Sequence, residues 1–186
     1  MTIGRLTAQP PEWILMIKYA WHYTTTEKFE LIIKSGLLKT TLSLMPERRG
    51  ERPIVWFTIN QEWEPTTAYT YRDNKPFTML ENKQAGGGLV RLGYPLAGIP
   101  NYELIPWIEL YKVAGIKPNF KNLLEKLGKN RGSNPYHWLG CFNDIPLENL
   151  VIQKMNDLNQ WEPAELSIFR VLTEEQVIQR RLKFGY

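Results

Sequence analysis

The stretch WHYTTTEKFELIIKSGLLKT, residues 21–40, decides the fold. It closes the apolar run WILMIKYAW (13–21), which reads as a buried strand, or as a short helix followed by a strand. Thr24 to Glu27 then has the S/T-x-x-E spacing of a capping box, the signature of a helix start. Phe29, Ile32 and Ile33 recur at helical spacing, and Gly36 is the natural stop. A strand running directly into a capped helix puts His22 at the carboxyl edge of a sheet. A His there can bond a ligand hydroxyl, or it can simply pack and bond a backbone carbonyl.

The next decisive stretch is PIVWFTINQEWEPTTA, residues 53–68. Ile54 to Thr58 is a short apolar run between Pro53 and Asn60, which reads as a buried strand. A helix from about Glu64 to Tyr71 follows, with Pro65 tolerated in its first turn. Trp56 and Phe57 offer a wall that could stack on a flat ring. Glu62 and Glu64 stand at a helix start, where carboxylates also suit the helix dipole.

Elsewhere, residues 1–12 read as a loose lead-in and 13–186 as one α+β domain of small mixed or antiparallel sheets with flanking helices. Pro46 to Pro53 reads as a charged loop. Residues 72–87, with Pro76 and a glycine run, read as a mobile loop. Leu89 to Tyr94 reads as a strand, Ile105 to Ala114 and Asn119 to Leu127 as helices (Asn119 capping the second), and Gly128 to Pro135 as a basic, solvated loop. His137 to Phe142 and Leu150 to Met155 read as strands joined by a turn around Ile145-Pro146. Glu165 to Leu172 reads as a last strand, and Thr173 to Phe184 as a helix exposing Arg180, Arg181 and Lys183.

Composition bounds the chemistry. The chain has 186 residues, a net charge of +4, seven Trp and one cysteine, Cys141. One cysteine excludes an internal disulfide and a Cys-based zinc site, and two histidines exclude a three-His metal site, so no metal is expected. The longest apolar runs fall far short of the ~20 residues of a membrane span, and no apolar signal core opens the chain. A cytoplasmic protein without a membrane partner is the expectation. G-x-G-x-x-G, P-loop, H-E-x-x-H and G-x-S-x-G patterns are missing; Arg91 stands where the third dinucleotide glycine would be needed.

Taken together, the two stretches resemble the ADP-ribosyltransferase-like superfamily. His22 and Thr24 match its first motif, and Trp56, Phe57 and Thr58 its second. Val55 to Ala68 is also similar to a V-W-F-[ST]-x-N-x-x-W-E-x-T-A motif of a bacterial family. The resemblance covers roughly residues 18–70 and 135–155. It implies a split sheet and NAD as a substrate cleaved at its nicotinamide glycosidic bond. It also implies a protein or nucleic-acid acceptor of ADP-ribose. His22 would then hold a ribose, and Tyr23 and Thr24 the nicotinamide amide. Trp56, Phe57 and Thr58 would wall the ring, and Arg91 would meet the pyrophosphate. The third motif, normally an acid on a later strand, has no Glu between Pro135 and Gly140. His137 is its nearest polar match, and Glu62 and Glu64 are the other candidates for the catalytic role. The missing acid motivates an alternative, a catalytically silent nucleotide-binding or inhibitory module. The basic loops at 47–52 and 126–131 motivate another, a small nucleic-acid-binding protein.

Overall fold

The computed structural model describes residues 17–41, 50–71, 73, 75–96, 104–169 and 173–184, the side chains at 174, 177, 180 and 181 excepted. The first strand, β1 (Tyr19–Thr25), pairs antiparallel with β4 (Leu89–Pro95) over its whole length, from Tyr19↔Pro95 to Thr25↔Leu89. They sit inside a seven-stranded antiparallel sheet. Its order is β5 (Ile105–Pro106), β6 (Trp138–Cys141), β3 (Val55–Thr58), β1, β4, β8 (Val151–Met155) and β9 (Trp161–Pro163). A two-stranded sheet joins β2 (Leu37–Leu38) to β7 (Ile145–Pro146). The helices are α1 (Thr26–Ser35), α2 (Met79–Ala85), α3 (Trp107–Val113), α4 (Pro118–Asn130) and α5 (Glu174–Phe184). The class is α+β, as the interspersed strands and helices of the sequence suggest.

Strand alternation gives the central sheet two different faces. Ala20, His22 and Thr24 look to one side. There Ala20 packs with Phe29 of α1 and with Val55, Phe57, Val90, Leu92 and Ile145. Trp21, Tyr23 and Thr25 look to the other side. On that side α3 brings Trp107, Leu110 and Ala114 against Ile54 and Trp138. Trp107 lies 5.6 Å from Trp56 and 5.8 Å from Trp138, ring centre to ring centre. Further along, the Arg91 guanidinium is inserted between Trp21 at 3.9 Å and Trp161 at 4.6 Å. Most of the tryptophan excess is therefore spent on packing this second face. Trp13 lies outside the described residues.

Several local expectations change. The cap of α1 is Thr25, one residue later than the sequence suggests: its side chain accepts from Lys28 N–H, and Gly36 closes the helix at φ 68°. Residues 72–87 are not simply a loop. Thr78 and Glu81 make a reciprocal capping box that starts α2. The glycine run is a tight turn whose carbonyls at Gly88 and Gly86 accept from Thr26 and Glu27 at 3.1 Å each. Between Glu64 and Tyr71 only Pro65–Thr67 is helical, a single 3-10 turn, because the Glu64 side chain holds Thr66 N–H. α4 begins at Pro118, with no side-chain cap from Asn119, and runs on to Asn130 into the expected basic loop. β6 starts at Trp138, since Pro135–His137 is a 3-10 turn. Ile145-Pro146 is not a free turn but β7. The expected strand at Glu165 to Leu172 is a 3-10 turn, Leu166–Ile168, and the pairing falls to β9 instead. The lead-in, residues 46–49 of the charged loop, residues 170–172 and the Arg180 and Arg181 side chains lie outside the described residues.

Candidate functional site

The sheet parts between β1 and β3. Bonds flanking the β1–β4 ladder, Thr26 N–H to Gly88 and Leu96 N–H to Lys18, set its phase. Even-numbered residues of β1 exchange backbone hydrogen bonds with β4, so the peptides of Trp21 and Tyr23 point to β3. Likewise Ile59 N–H bonds the His137 carbonyl at 3.0 Å, which turns the peptides of Trp56 and Thr58 toward β1. Trp21 and Thr58 do pair across this line, but Tyr23 and Trp56 do not. The Trp56 carbonyl instead accepts from His22 Nδ1 at 2.9 Å. At the far end Thr41 bridges to Ile54 and closes the gap. The peptide groups of Tyr23 and the Trp56 N–H are thus directed into the opening between Thr58 and Ile54.

A cleft of about 1150 Å³ lies over this opening. Its walls include His22, Tyr23 and Thr24 of β1, and Trp56, Phe57 and Thr58 of β3. Glu64 to Ala68 contribute without Pro65, and α1 adds Lys28, Leu31 and Ile32. Leu124, Leu127 and Gly128 of α4, followed by Arg131, and Trp138 of β6 complete it. The cleft is large enough for a dinucleotide-sized ligand. Among the described residues, three cations, Lys28, Lys39 and Arg131, and one carboxylate, Glu64, line it. That balance favours an anionic ligand.

The site's titration state follows from its packing. A carbonyl can only accept, so His22 Nδ1 carries the proton and Nε2 is left as an acceptor. Burial lowers the His22 pKa, partly offset by the bond to Trp56, with Lys28 adding to the lowering. The imidazole is therefore neutral at pH 7. Phe57 meets it edge-on at 6.2 Å and is itself buried in the core, so Trp56 is the more accessible aromatic wall. The Tyr23 phenol faces the other side and donates to the Asn60 carbonyl at 2.8 Å; burial pushes its pKa up to about 12. Tyr23 thus meets the cleft through its backbone.

Of the ten residues singled out from the sequence, seven line this cleft: His22, Tyr23, Thr24, Trp56, Phe57, Thr58 and Glu64. The other three do not. Arg91 is 8% exposed, and all three of its guanidinium nitrogens are hydrogen-bonded. Its Nε and Nη2 donate to Gln153 Oε1 at 2.8 and 2.5 Å, and Nη1 donates to Gln61 O and Tyr23 Oη. It ties β4 to β8 rather than facing a pyrophosphate. Glu62 is exposed, and its carbonyl accepts from Trp161 Nε1 at 2.9 Å. The His137 ring sits at the 3-10 turn before β6, 3.1 Å from Asn134 Nδ2.

Sequence reasoning missed Lys28, Lys39 and Arg131. Arg131 donates to the Thr66 carbonyl at 3.5 Å and to Thr70 Oγ1 at 3.3 Å, long bonds that leave the guanidinium loosely held. Its local signal, a basic tract after a helix, is that of a solvated loop. Among the described residues, no group of three or more His, Cys, Asp or Glu could hold a metal ion, and no helix is long and apolar enough to cross a membrane. Comparison of the chain with protein-family models, curated proteins and solved structures gives no match.

Proposed function

We propose that the cleft between β1 and β3 binds an NAD-type dinucleotide and that the protein cleaves its nicotinamide glycosidic bond, passing ADP-ribose to an acceptor. The parted strand edge carries this reading. Tyr23 offers a peptide N–H and C=O side by side, the complement of a carboxamide, next to the neutral His22 and the indole of Trp56. Lys28, Lys39 and Arg131 supply the positive charge that a pyrophosphate needs.

In this reading the bond between ribose C1′ and the nicotinamide nitrogen breaks through an oxocarbenium-like transition state, as in glycoside hydrolysis. The bonding pair leaves with the ring nitrogen, which loses its positive charge. An acceptor lone pair forms the new bond at C1′, and the acceptor's proton goes to solvent or to a base. Chain residues contribute by holding the amide (Tyr23 backbone), stacking the ring (Trp56) and accepting a ribose hydroxyl (His22 Nε2).

The test is nicotinamide release from NAD by the purified chain, with His22→Ala and Trp56→Ala alongside. Release that either variant abolishes supports the reading; release indifferent to both variants contradicts the site. A second reading, a silent nucleotide-binding module, is favoured by one observation: β6 lends the cleft Trp138 rather than an acid. NAD-dependent thermal stabilisation without nicotinamide release would select it.

A further inference from the structure

We infer that the acceptor of the proposed transfer is single-stranded nucleic acid, docked along the outer face of α4 and led into the cleft at Arg131; this deepens the proposed function and rests on it. Leu124, Leu127 and Gly128 turn one face of α4 to the cleft. A second hollow, of about 300 Å³, lies on another face, lined by Asn122, Glu125, Lys126, Lys129 and Asn130. The spacing i, i+4, i+7 and i+8 puts Asn122, Lys126, Lys129 and Asn130 on one stripe of the helix. All four are exposed. Among the described residues, none of their side chains makes a hydrogen bond or an ion pair.

The stripe is positive and its charges are free. Glu125 is already taken up by Lys121 Nζ at 2.9 Å and by the Trp107 indole N–H at 2.8 Å, with Lys129 acting on it from further off. Arg131 ends α4 and lines the main cleft. From Asn122 to Arg131 the helix advances about 13 Å, so the stripe leads an extended polyanion from the hollow to the cleft. Lys, Arg and Asn side chains in such a row suit phosphate oxygens. Tyr136 favours a nucleic acid over an acidic protein. It is 78% exposed, on the 3-10 turn that precedes β6. It stands near the stripe: Lys121, whose pKa the bond to Glu125 raises, also feels the Tyr136 phenol. An exposed ring beside a row of cations is a stacking platform for a base. The strand is single, since a base enters a cleft only when it is out of its stack.

In the transfer, a base nitrogen gives its lone pair to C1′ while the bond from C1′ to the nicotinamide nitrogen breaks and its pair leaves with nicotinamide. The proton carried by that base nitrogen goes to solvent. The experiment first titrates the full chain, without NAD, with a fluorescent mixed-sequence single-stranded oligonucleotide over a salt series. Lys126→Ala combined with Lys129→Ala, Tyr136→Ala and a polyglutamate competitor run alongside. Wild-type affinity falls steeply with salt, and the double variant's log–log slope is shallower by about 1.4. Tyr136→Ala binds about fivefold more weakly or worse, at an unchanged slope. Polyglutamate competes poorly. With adenine-labelled NAD, wild type passes the label to the oligonucleotide. The double variant passes at least tenfold less, yet releases nicotinamide at the wild-type rate when no oligonucleotide is present.

Binding that is flat across salt, equal in wild type and the double variant, or matched by polyglutamate would overturn the inference. Nicotinamide release that leaves no label on the oligonucleotide would overturn it as well. If wild type releases no nicotinamide, the proposed function falls by itself. The salt series then still decides whether α4 carries a nucleic-acid surface: a shallower slope in the double variant supports it, and an equal slope overturns it.

Discussion

His22 Nδ1 holds the Trp56 carbonyl at 2.9 Å, where the Tyr23 N–H would bond in an unbroken sheet. The side chain of one residue replaces the backbone donor of the next. That exchange props the two strands apart without leaving the carbonyl unpaired, an outcome that would cost about 1–3 kcal/mol. The His thus fills the structural role of bonding a backbone carbonyl, and by doing so creates the opening that the cleft occupies.

The pairing makes stability depend on pH. The folded His22 pKa lies below its ordinary 6.5. As pH falls through 6.5 the unfolded chain takes up this proton before the folded one, so stability is lost on acidification. Urea unfolding at pH 7.5 and 5.5 should show a larger loss for wild type than for His22→Gln. Equal losses would mean that His22 is not desolvated.

Thr25, not Thr24, caps α1. Thr25→Ala should cost at least about 1 kcal/mol, since it removes the acceptor for Lys28 N–H and the contact with Tyr69 Oη at 3.1 Å. Thr24→Ala should cost less and weaken nucleotide binding instead. Chemical denaturation of the two variants checks the order; a larger loss for Thr24→Ala would reverse the assignment.

Arg91 is a structural cation. Arg91→Ala strips Gln153, the Gln61 carbonyl and the gap between Trp21 and Trp161 of their partner, and should cost about 1–3 kcal/mol. Nucleotide affinity per folded molecule should change less than twofold, as read by calorimetry at a temperature where the variant is folded. A large loss of affinity with little loss of stability would restore the pyrophosphate role.

The glycine turn supports the site from behind. A Cβ on Gly86 would fall 2.3 Å from Thr25 Cβ. Gly86→Ala therefore pushes on the β1–α1 junction, and should cost about 1–3 kcal/mol. A melting temperature equal to wild type would show that the junction yields freely.

Much of this was legible in the sequence because it is written in local pattern. The apolar runs around Trp21, Trp56 and Leu92 are strands, and Phe29, Ile32 and Ile33 do mark α1. The capping box at Thr78 and Glu81 was equally local, but Pro76 and the glycines on either side outweigh it in a linear reading. Arg131 and the parting of β1 from β3 had no local signal. Arg131 reaches the cleft only because α4 docks against Trp138, close enough that a Cβ on Gly128 would lie 2.5 Å from the indole. The parting depends on one imidazole meeting a carbonyl 34 residues away in sequence. The engagement of Arg91 has no local signal for the same reason: its partners Gln153, Gln61 and Trp161 converge on it from three separate segments.

The most direct measurement is calorimetric titration of NAD into wild type, Trp56→Ala and His22→Ala. The account predicts saturable binding to wild type and at least a tenfold loss in each variant. Absence of NAD binding to the folded wild-type chain, or equal affinity in all three proteins, would contradict it.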